Sequence, residues 1–503
     1  MKLDLAANFA TSLWVGILTL VFTPVYVHYL GVEAYGLIGL LAALQNSLGQ
    51  LDASLGQMLS RELARFTGGG LGAKSARDLV RTVEVIAFAL ALAVVLTLVA
   101  LKGPIAHAWL RPDRLPLSEL EGTIPMMAII VALRVLEGLY RGAVVGIGQQ
   151  LRLNVITATS VTLKAFGALL LFHTLSRGVT VFFTWQALVS ALNVGLLIWL
   201  LHASLPETGG RARFSTDELR RVMGFGAGLM VISLLAIALS QSDKLLLSKL
   251  LPLPSYGEYA LSATLAAAPH LLAAPILQAS QPRFARALAA GDRNAAGELF
   301  HASSQLMTVL LGSGVVMLVF FAADILSLWL ANADLAARVS PVMRLIAIGN
   351  LFYALVWLPN ALQIASGATG LIVRTSAVSV AVLIPALLTV APLYLGFGAA
   401  WVWLAVNFAY FAVIAIFMFR TLLQGERGSW LVDDIGRPLG VAIAVAGAFS
   451  LTGVHQGPVW WRVLALAVTA GVTLAAAAAA APLVRAQAAA LGRQAQSRLG
   501  GSL

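Results

Sequence analysis

The chain contains no cysteine, which excludes disulfides, thiolate-held metals and cysteine nucleophiles. Charge is scarce as well: only 11% of its 503 residues are Asp, Glu, Lys or Arg, against roughly 25% in soluble globular proteins. Hydrophilic stretches are short, none much longer than about twenty residues. No separate soluble domain is therefore expected to carry chemistry, and any function must sit among apolar helices.

Apolar residues make up 59% of the chain, more surface than a water-soluble fold could cover. A helix needs roughly 20 mostly apolar residues to cross the hydrocarbon layer, and such segments recur almost end to end. They predict an all-α, polytopic membrane protein of about fourteen transmembrane helices, near 5–29, 37–60, 82–101, 122–147, 154–173, 180–203, 223–248, 256–281, 301–323, 341–366, 371–393, 397–420, 436–454 and 459–482. The first segment starts just behind Lys2 like a signal peptide. Its apolar run is long and lacks a small-residue cleavage site, so it reads as an uncleaved helix.

A net charge of +11 could suggest nucleic acid, but the basic residues alternate between loops and form no stripe. Twenty-one Lys and Arg fall at the N-terminus, even-numbered loops and C-tail, among them Arg61, Arg65, Lys74, Arg77, Arg81, Arg485, Arg493 and Arg498, and seven in the odd-numbered loops. This positive-inside bias places both termini in the cytoplasm. Trp109, Trp185, Trp329, Trp401, Trp403, Trp460 and Trp461 fall near the expected outer ends of spans, where an amphipathic ring suits the interface.

The sequence is also written twice. At an offset of 221 residues, Tyr35, Gly36, Leu40, Ala42, Leu44, Leu51, Ala53, Gln57, Ala64 and Arg65 meet Tyr256, Gly257, Leu261, Ala263, Leu265, Leu272, Ala274, Gln278, Ala285 and Arg286. A repeat of six helices is even, so both copies enter from one side, the parallel arrangement of transporters that rock two lobes. The expected organisation is an N-lobe at 1–203, a cytoplasmic linker at 204–222, a C-lobe at 223–420, and two further helices with a tail at 421–503. Ser215 and Glu218 have capping-box spacing for a short helix in the linker.

Eight ionisable residues lie inside predicted spans: Arg134, Glu137 and Arg141 in the fourth, Lys164 in the fifth, Asp243 and Lys244 in the seventh, Arg344 in the tenth and Asp52 in the second. Each costs at least roughly 2.5–3.5 kcal/mol at the bilayer centre, so they should line a wet cavity. Arg134, Glu137 and Arg141 at i, i+3 and i+7 share one helix face, with Tyr140 adjacent. Glu137 between two arginines could equally be an ion-pair cluster that fixes packing. Asp52 is a candidate partner for Lys164 or Arg134. Asp243 and Lys244, about 100° apart on a helix, are not expected to pair. Asp52, Glu137 or Asp243 could instead carry a proton. Asn46, Gln50, Gln57, Gln241, Gln278, Gln281 and Gln305 are candidate polar lining, His270 reads as a packing residue, and no metal or cofactor is expected.

The opening pattern, with Tyr29-Leu30-Gly31 and Ala34-Tyr35-Gly36 ahead of a polar-dotted helix that ends Arg61-Glu62-Leu63-Ala64, resembles the bacterial polysaccharide-repeat, or O-antigen (Wzx-type), flippases. These belong to the multidrug/oligosaccharidyl-lipid/polysaccharide (MOP) exporter superfamily. The resemblance implies an inner-membrane flippase that moves an undecaprenyl-diphosphate-linked oligosaccharide from the cytoplasmic to the periplasmic leaflet, with no bond broken. It implies coupling to H+ or Na+, and a polysaccharide polymerase and chain-length regulator as partners. Guanidinium forks would match the diphosphate oxygens. Within the superfamily, drug exporters usually carry an acid in the first helix, and here none lies between Asp4 and Glu33. Lipid II flippases carry cations there, and none lies between Lys2 and Arg61.

Two motifs are decoys. Gly68-Gly69-Gly70-Leu71-Gly72-Ala73-Lys74-Ser75 has the look of a phosphate-binding loop, but Ala73 replaces a required glycine and no strand precedes it. Asp433-Asp434 reads as a solvated turn and not as the acid pair of a glycosyltransferase. A membrane polymerase or ligase would also need a substantial outer loop with paired acid and base groups, and the longest expected here is 102–121.

Overall fold

A computed structural model describes residues 2–206, 212–453, 457–486 and 489. Helix is the only regular structure among them, and the described part of each of the fourteen predicted segments is mostly helical, the segment at 256–281 crossing a turn at Ala267–Pro269. Ten described helices are long and apolar enough to cross a membrane, or eleven when a bent pair is counted as one span. The chain divides into two compact units, Met1–Ala260 and Leu261–Leu503.

The first unit holds α1 (Lys2–Thr67), α2 (Ala73–Ala100), α3 (Leu117–Gly146), α4 (Gln150–Thr174), α5 (Val179–Ser204), α6 (Thr216–Leu250) and the start of α7 (Leu253–Ala266). At 1.5 Å per residue, 66 residues of α1 would run about 100 Å, three hydrocarbon thicknesses. A break at Gly31 (φ 85, ψ 165) resolves this, because only glycine adopts that backbone readily. One repeat later stands Pro252, in the gap between α6 and α7. The two copies are broken at the same register by the two residues best suited to end a helix.

Packing in this unit centres on α3, which meets α1, α2 and α5. Helices in lipid gain little from hydrophobicity and associate where small residues let backbones approach. Gly142 and Gly146, one turn apart on α3, lie against α1: a Cβ at Gly142 would stand 2.5 Å from Gly56 Cα, and one at Gly146 2.6 Å from the Ser60 carbonyl oxygen. Leu63, Leu79, Leu136 and Leu201 close an aliphatic cluster around this crossing. Ser215 immediately precedes α6, as its capping position predicts, but the helix begun there is no short linker helix. It runs without interruption to Leu250.

The second unit contains the rest of α7, α8 (His270–Ala289), α9 (Arg293–Met307), α10 (Ser313–Phe320), α11 (Ala322–Leu330), α12 (Ala333–Leu355), α13 (Trp357–Ala365), α14 (Gly370–Phe417), α15 (Arg437–Leu451) and α16 (Val459–Ala480). The 48 residues of α14 are again two spans, broken at Leu395 (φ 51, ψ −142). Ala442 and Ala446 of α15 and Ala477 of α16 pack against Val316 of α10, so the alanine-rich end of the chain serves close helix approach. Trp403 departs from its expected interfacial place. It is buried and donates its indole N–H to Asn350 Oδ1 at 3.0 Å, because Gly349 leaves room for the ring.

Candidate functional site

A polar cavity of about 480 Å³ opens in the first unit, lined by Gln45, Asn46, Gly49, Gln50, Arg134, Glu137, Lys164 and Gln241. Three helices supply the lining on α1, α3 and α4, and α6 adds Gln241. Two cations face one carboxylate. Arg134 Nη1 stands 3.9 Å from Glu137 Oε2, and Arg141 Nη1 3.6 Å from the other oxygen, Glu137 Oε1. Glu137 therefore bridges two guanidinium groups one turn to either side of it. Both separations are longer than in a close, hydrogen-bonded ion pair.

Gly49 is what lets the arginine reach the cavity. A Cβ at that position would lie 2.8 Å from Arg134 Nη2. Lys164 lines the same wall and forms no hydrogen bond or ion pair among the described residues. Gln50 donates to Ser240 Oγ at 3.0 Å, which joins α1 to α6 at the cavity edge. Gln241 is buried, and its carbonyl oxygen has no hydrogen-bond partner among the described residues. Leaving such an oxygen unmet costs about 1–3 kcal/mol, so a ligand hydroxyl or water is its natural complement.

Of the residues singled out in the sequence, the cavity gathers Asn46, Gln50, Arg134, Glu137, Lys164 and Gln241. Gln45 and Gly49 belong to it too. Their signal was the density of polar residues along 45–50 of an otherwise apolar helix. Arg141 takes part through Glu137 and donates to Thr157 Oγ1 at 3.3 Å.

Tyr140 does not line the cavity. At 100° per residue it lies about 120° around α3 from Arg134, and its buried hydroxyl donates to Glu84 Oε1 at 2.9 Å. Asp243 and Lys244 do pair, contrary to the expectation from their adjacency. The flexible lysine stem folds back and puts Nζ 3.2 Å from both carboxylate oxygens, while Tyr259 donates to Asp243 Oδ2 at 2.8 Å. Arg344 and Gln278 are exposed side chains of the second unit. The side chains of Asp52 and Gln57 lie outside the described residues. His270 meets the Asn350 carbonyl oxygen at 3.2 Å and the Trp357 ring, the packing role expected of it. The glycine-rich stretch at 68–70 closes the end of α1 by backbone bonds from Gly68 and Gly70 to Ala64 and Arg65.

The acid pair at 433–434 is not a solvated turn. Both residues sit in a wide helical turn, Trp430–Gly436, and Asp434 is only 1% exposed. His301 of α9 lies between two carboxylates, its Nδ1 on Asp434 and its Nε2 on Glu426 at 2.9 Å. Gln305 Nε2 donates to Asp434 Oδ1 at 2.9 Å, and its own carbonyl oxygen accepts from Leu483 N. This network fastens the segment around α15 and α16 to α9. Its members are more than a hundred residues apart, so no local spacing announces it.

The arrangement is a polytopic, all-helical membrane fold, and solved structures of transporters share it. A lipid II flippase, MurJ, in an inward closed conformation superposes with a TM-score of 0.73 over 94% of this chain and 98% of that one, at 11% identity. An inward-facing multidrug resistance transporter of the MATE family, in the MOP superfamily, gives 0.63 over 84% and 96%, at 12% identity. A MATE protein in a straight conformation gives 0.53 over 84% and 96%, at 11% identity. No curated protein sequence matches the chain. The family described as polysaccharide biosynthesis protein matches residues 5–288, more than half the chain, and the protein belongs to that family.

Proposed function

We propose that the protein flips an undecaprenyl-diphosphate-linked oligosaccharide repeat, of O-antigen or exopolysaccharide type, from the cytoplasmic to the periplasmic leaflet of the bacterial inner membrane. The observation that carries this reading is that Arg134 and Lys164, from neighbouring helices, line one polar cavity with Glu137 as the single acid among its described lining residues. A diphosphate headgroup leaving the leaflet surface needs charge-assisted donors in place of water, and guanidinium supplies two in one plane. Glu137 holds Arg134 and Arg141 in position when the cavity is empty. Asn46, Gln50 and the unmet carbonyl of Gln241 suit sugar hydroxyls.

Translocation is alternating access by two lobes, 1–203 and 223–420, with 204–222 as the linker and 421–503 trailing. Both termini are cytoplasmic, in keeping with the basic even-numbered loops. H+ or Na+ drives the cycle, with Glu137 and Asp243 as the described carboxylates available to it. A polysaccharide polymerase and a chain-length regulator would receive the product. The family's description and the lipid II flippase among its structural neighbours support a lipid-linked sugar over a drug.

The test is complementation of a strain that lacks the chromosomal copy. Arg134→Ala combined with Lys164→Ala should abolish surface polysaccharide while membrane levels of the protein stay unchanged. Normal polymer from that variant would remove the cavity from the mechanism.

A further inference from the structure

The second unit has a slot of another character. The two halves of α14 lie side by side, with the hydroxyls of Ser376 and Tyr410 within 3.4 Å of each other. Beside this contact is an apolar slot of about 310 Å³. Val378 and Val382 form its first wall and Val406 and Val413 its second, each pair on one helix face. Val378 is 63% exposed and Val382 54%, so the slot opens sideways from the helix pair. β-Branched side chains are short, and facing valines leave a channel that neither half of α14 fills.

Arg374 closes one end of this channel, one turn inside α14. Val382 lies two turns further along, about 12 Å at 1.5 Å per residue. The guanidinium is exposed and has no hydrogen bond or ion pair among the described residues. An arginine near the end of a spanning helix extends its head to headgroup level and leaves its stem along apolar surface. A lone cation there, above an open apolar channel, complements an amphiphile with one negative charge at its head.

We propose that this slot binds one anionic phospholipid, its phosphate on Arg374 and one acyl chain along Val378, Val382 and Val406. Arg374 is the one basic residue among those lining the slot. A single guanidinium matches a single phosphodiester, whereas a diphosphate calls for more than one cation. A zwitterionic headgroup carries its own ammonium, which competes with Arg374 for the phosphate. The site is independent of the cavity at Arg134 and does not rest on the translocation reading.

Native mass spectrometry of the full-length protein in detergent, titrated with phosphatidylglycerol or phosphatidylethanolamine, tests it. Phosphatidylglycerol adducts should appear at roughly tenfold lower lipid concentration, the ratio that 1.4 kcal/mol supplies. Arg374→Gln should remove that preference and Arg374→Lys should keep most of it. Val378→Trp, which blocks the channel from its exposed side, should weaken the adduct several-fold. Equal binding of the two lipids, or a preference that survives Arg374→Gln, overturns the proposal. So does full binding to Val378→Trp, which would reduce the site to a headgroup contact. Displacement of phosphatidylglycerol by lower concentrations of undecaprenyl diphosphate would assign the slot to the polyprenyl carrier and overturn it as well.

Discussion

Gly39 and Ala260 occupy equivalent positions in the 221-residue repeat, and they touch: a Cβ built on Gly39 would stand 2.5 Å from Ala260 Cβ. The equivalent pair Gly36 and Gly257 meets in the same way, with a Gly36 Cβ 3.4 Å from Gly257 N. α1 and α7 therefore approach closely in the first unit at positions matched by that offset. The crossing is tight enough to admit a methyl group from one side only.

That geometry predicts an exchange. Gly39→Ala should overpack the crossing and destabilise the protein by about 1–3 kcal/mol, read as a lower thermal unfolding midpoint in detergent. Ala260→Gly in the same chain moves the methyl from one side of the crossing to the other and should recover most of the loss. If the second change adds to the first, the two positions do not share one space.

Glu33 makes a second prediction. Its carboxylate accepts backbone N–H groups from Asp113, Arg114 and Leu115 at 2.6, 3.0 and 3.2 Å, pinning the loop ahead of α3. An amide can accept through one oxygen only, and hydrogen bonds to charged groups contribute about 1.5–3 kcal/mol. Glu33→Gln should therefore speed hydrogen exchange at 113–115 by roughly tenfold or more, with little change at the Arg134 cavity.

The His301 network predicts strong coupling. His301→Leu strips a buried carboxylate of one partner and should cost about 3–5 kcal/mol, with faster proteolysis around 421–436. His301→Leu together with Asp434→Leu should cost less than the sum of the two single changes, because the second removes the charge that the first left stranded. Additive losses would mean that the two residues act separately.

The fold and the site were unequally legible. Hydropathy found the long apolar helices, because lipid demands long apolar runs whatever the tertiary contacts, but not short ones such as α11. It could not see that the first two spans join through a single residue, since Gly31 looks like any loop glycine until its φ is known. Arg134, Glu137 and Lys164 stood out because charge is costly in an apolar helix, and that cost is local to the sequence. Tyr140 was misplaced because neighbours in sequence point to different sides of a helix. Asp434 was misread because burial is a tertiary property: the residues that enclose it, His301 and Gln305, are more than a hundred positions away. The pairing of Lys244 with Asp243 depended on a rotamer, which no spacing rule contains.

The role proposed for the charges around Glu137 is to carry a diphosphate headgroup across the bilayer. The most direct measurement is leaflet exchange in proteoliposomes that contain a fluorescent undecaprenyl-diphosphate oligosaccharide, followed by quenching from outside. Equilibration is expected with the unaltered protein, and a rate at least roughly tenfold lower when Arg134→Gln and Lys164→Gln are combined, the loss of one or two charge-assisted bonds. Undiminished exchange in that variant, with the same unfolding temperature as the parent, would contradict it.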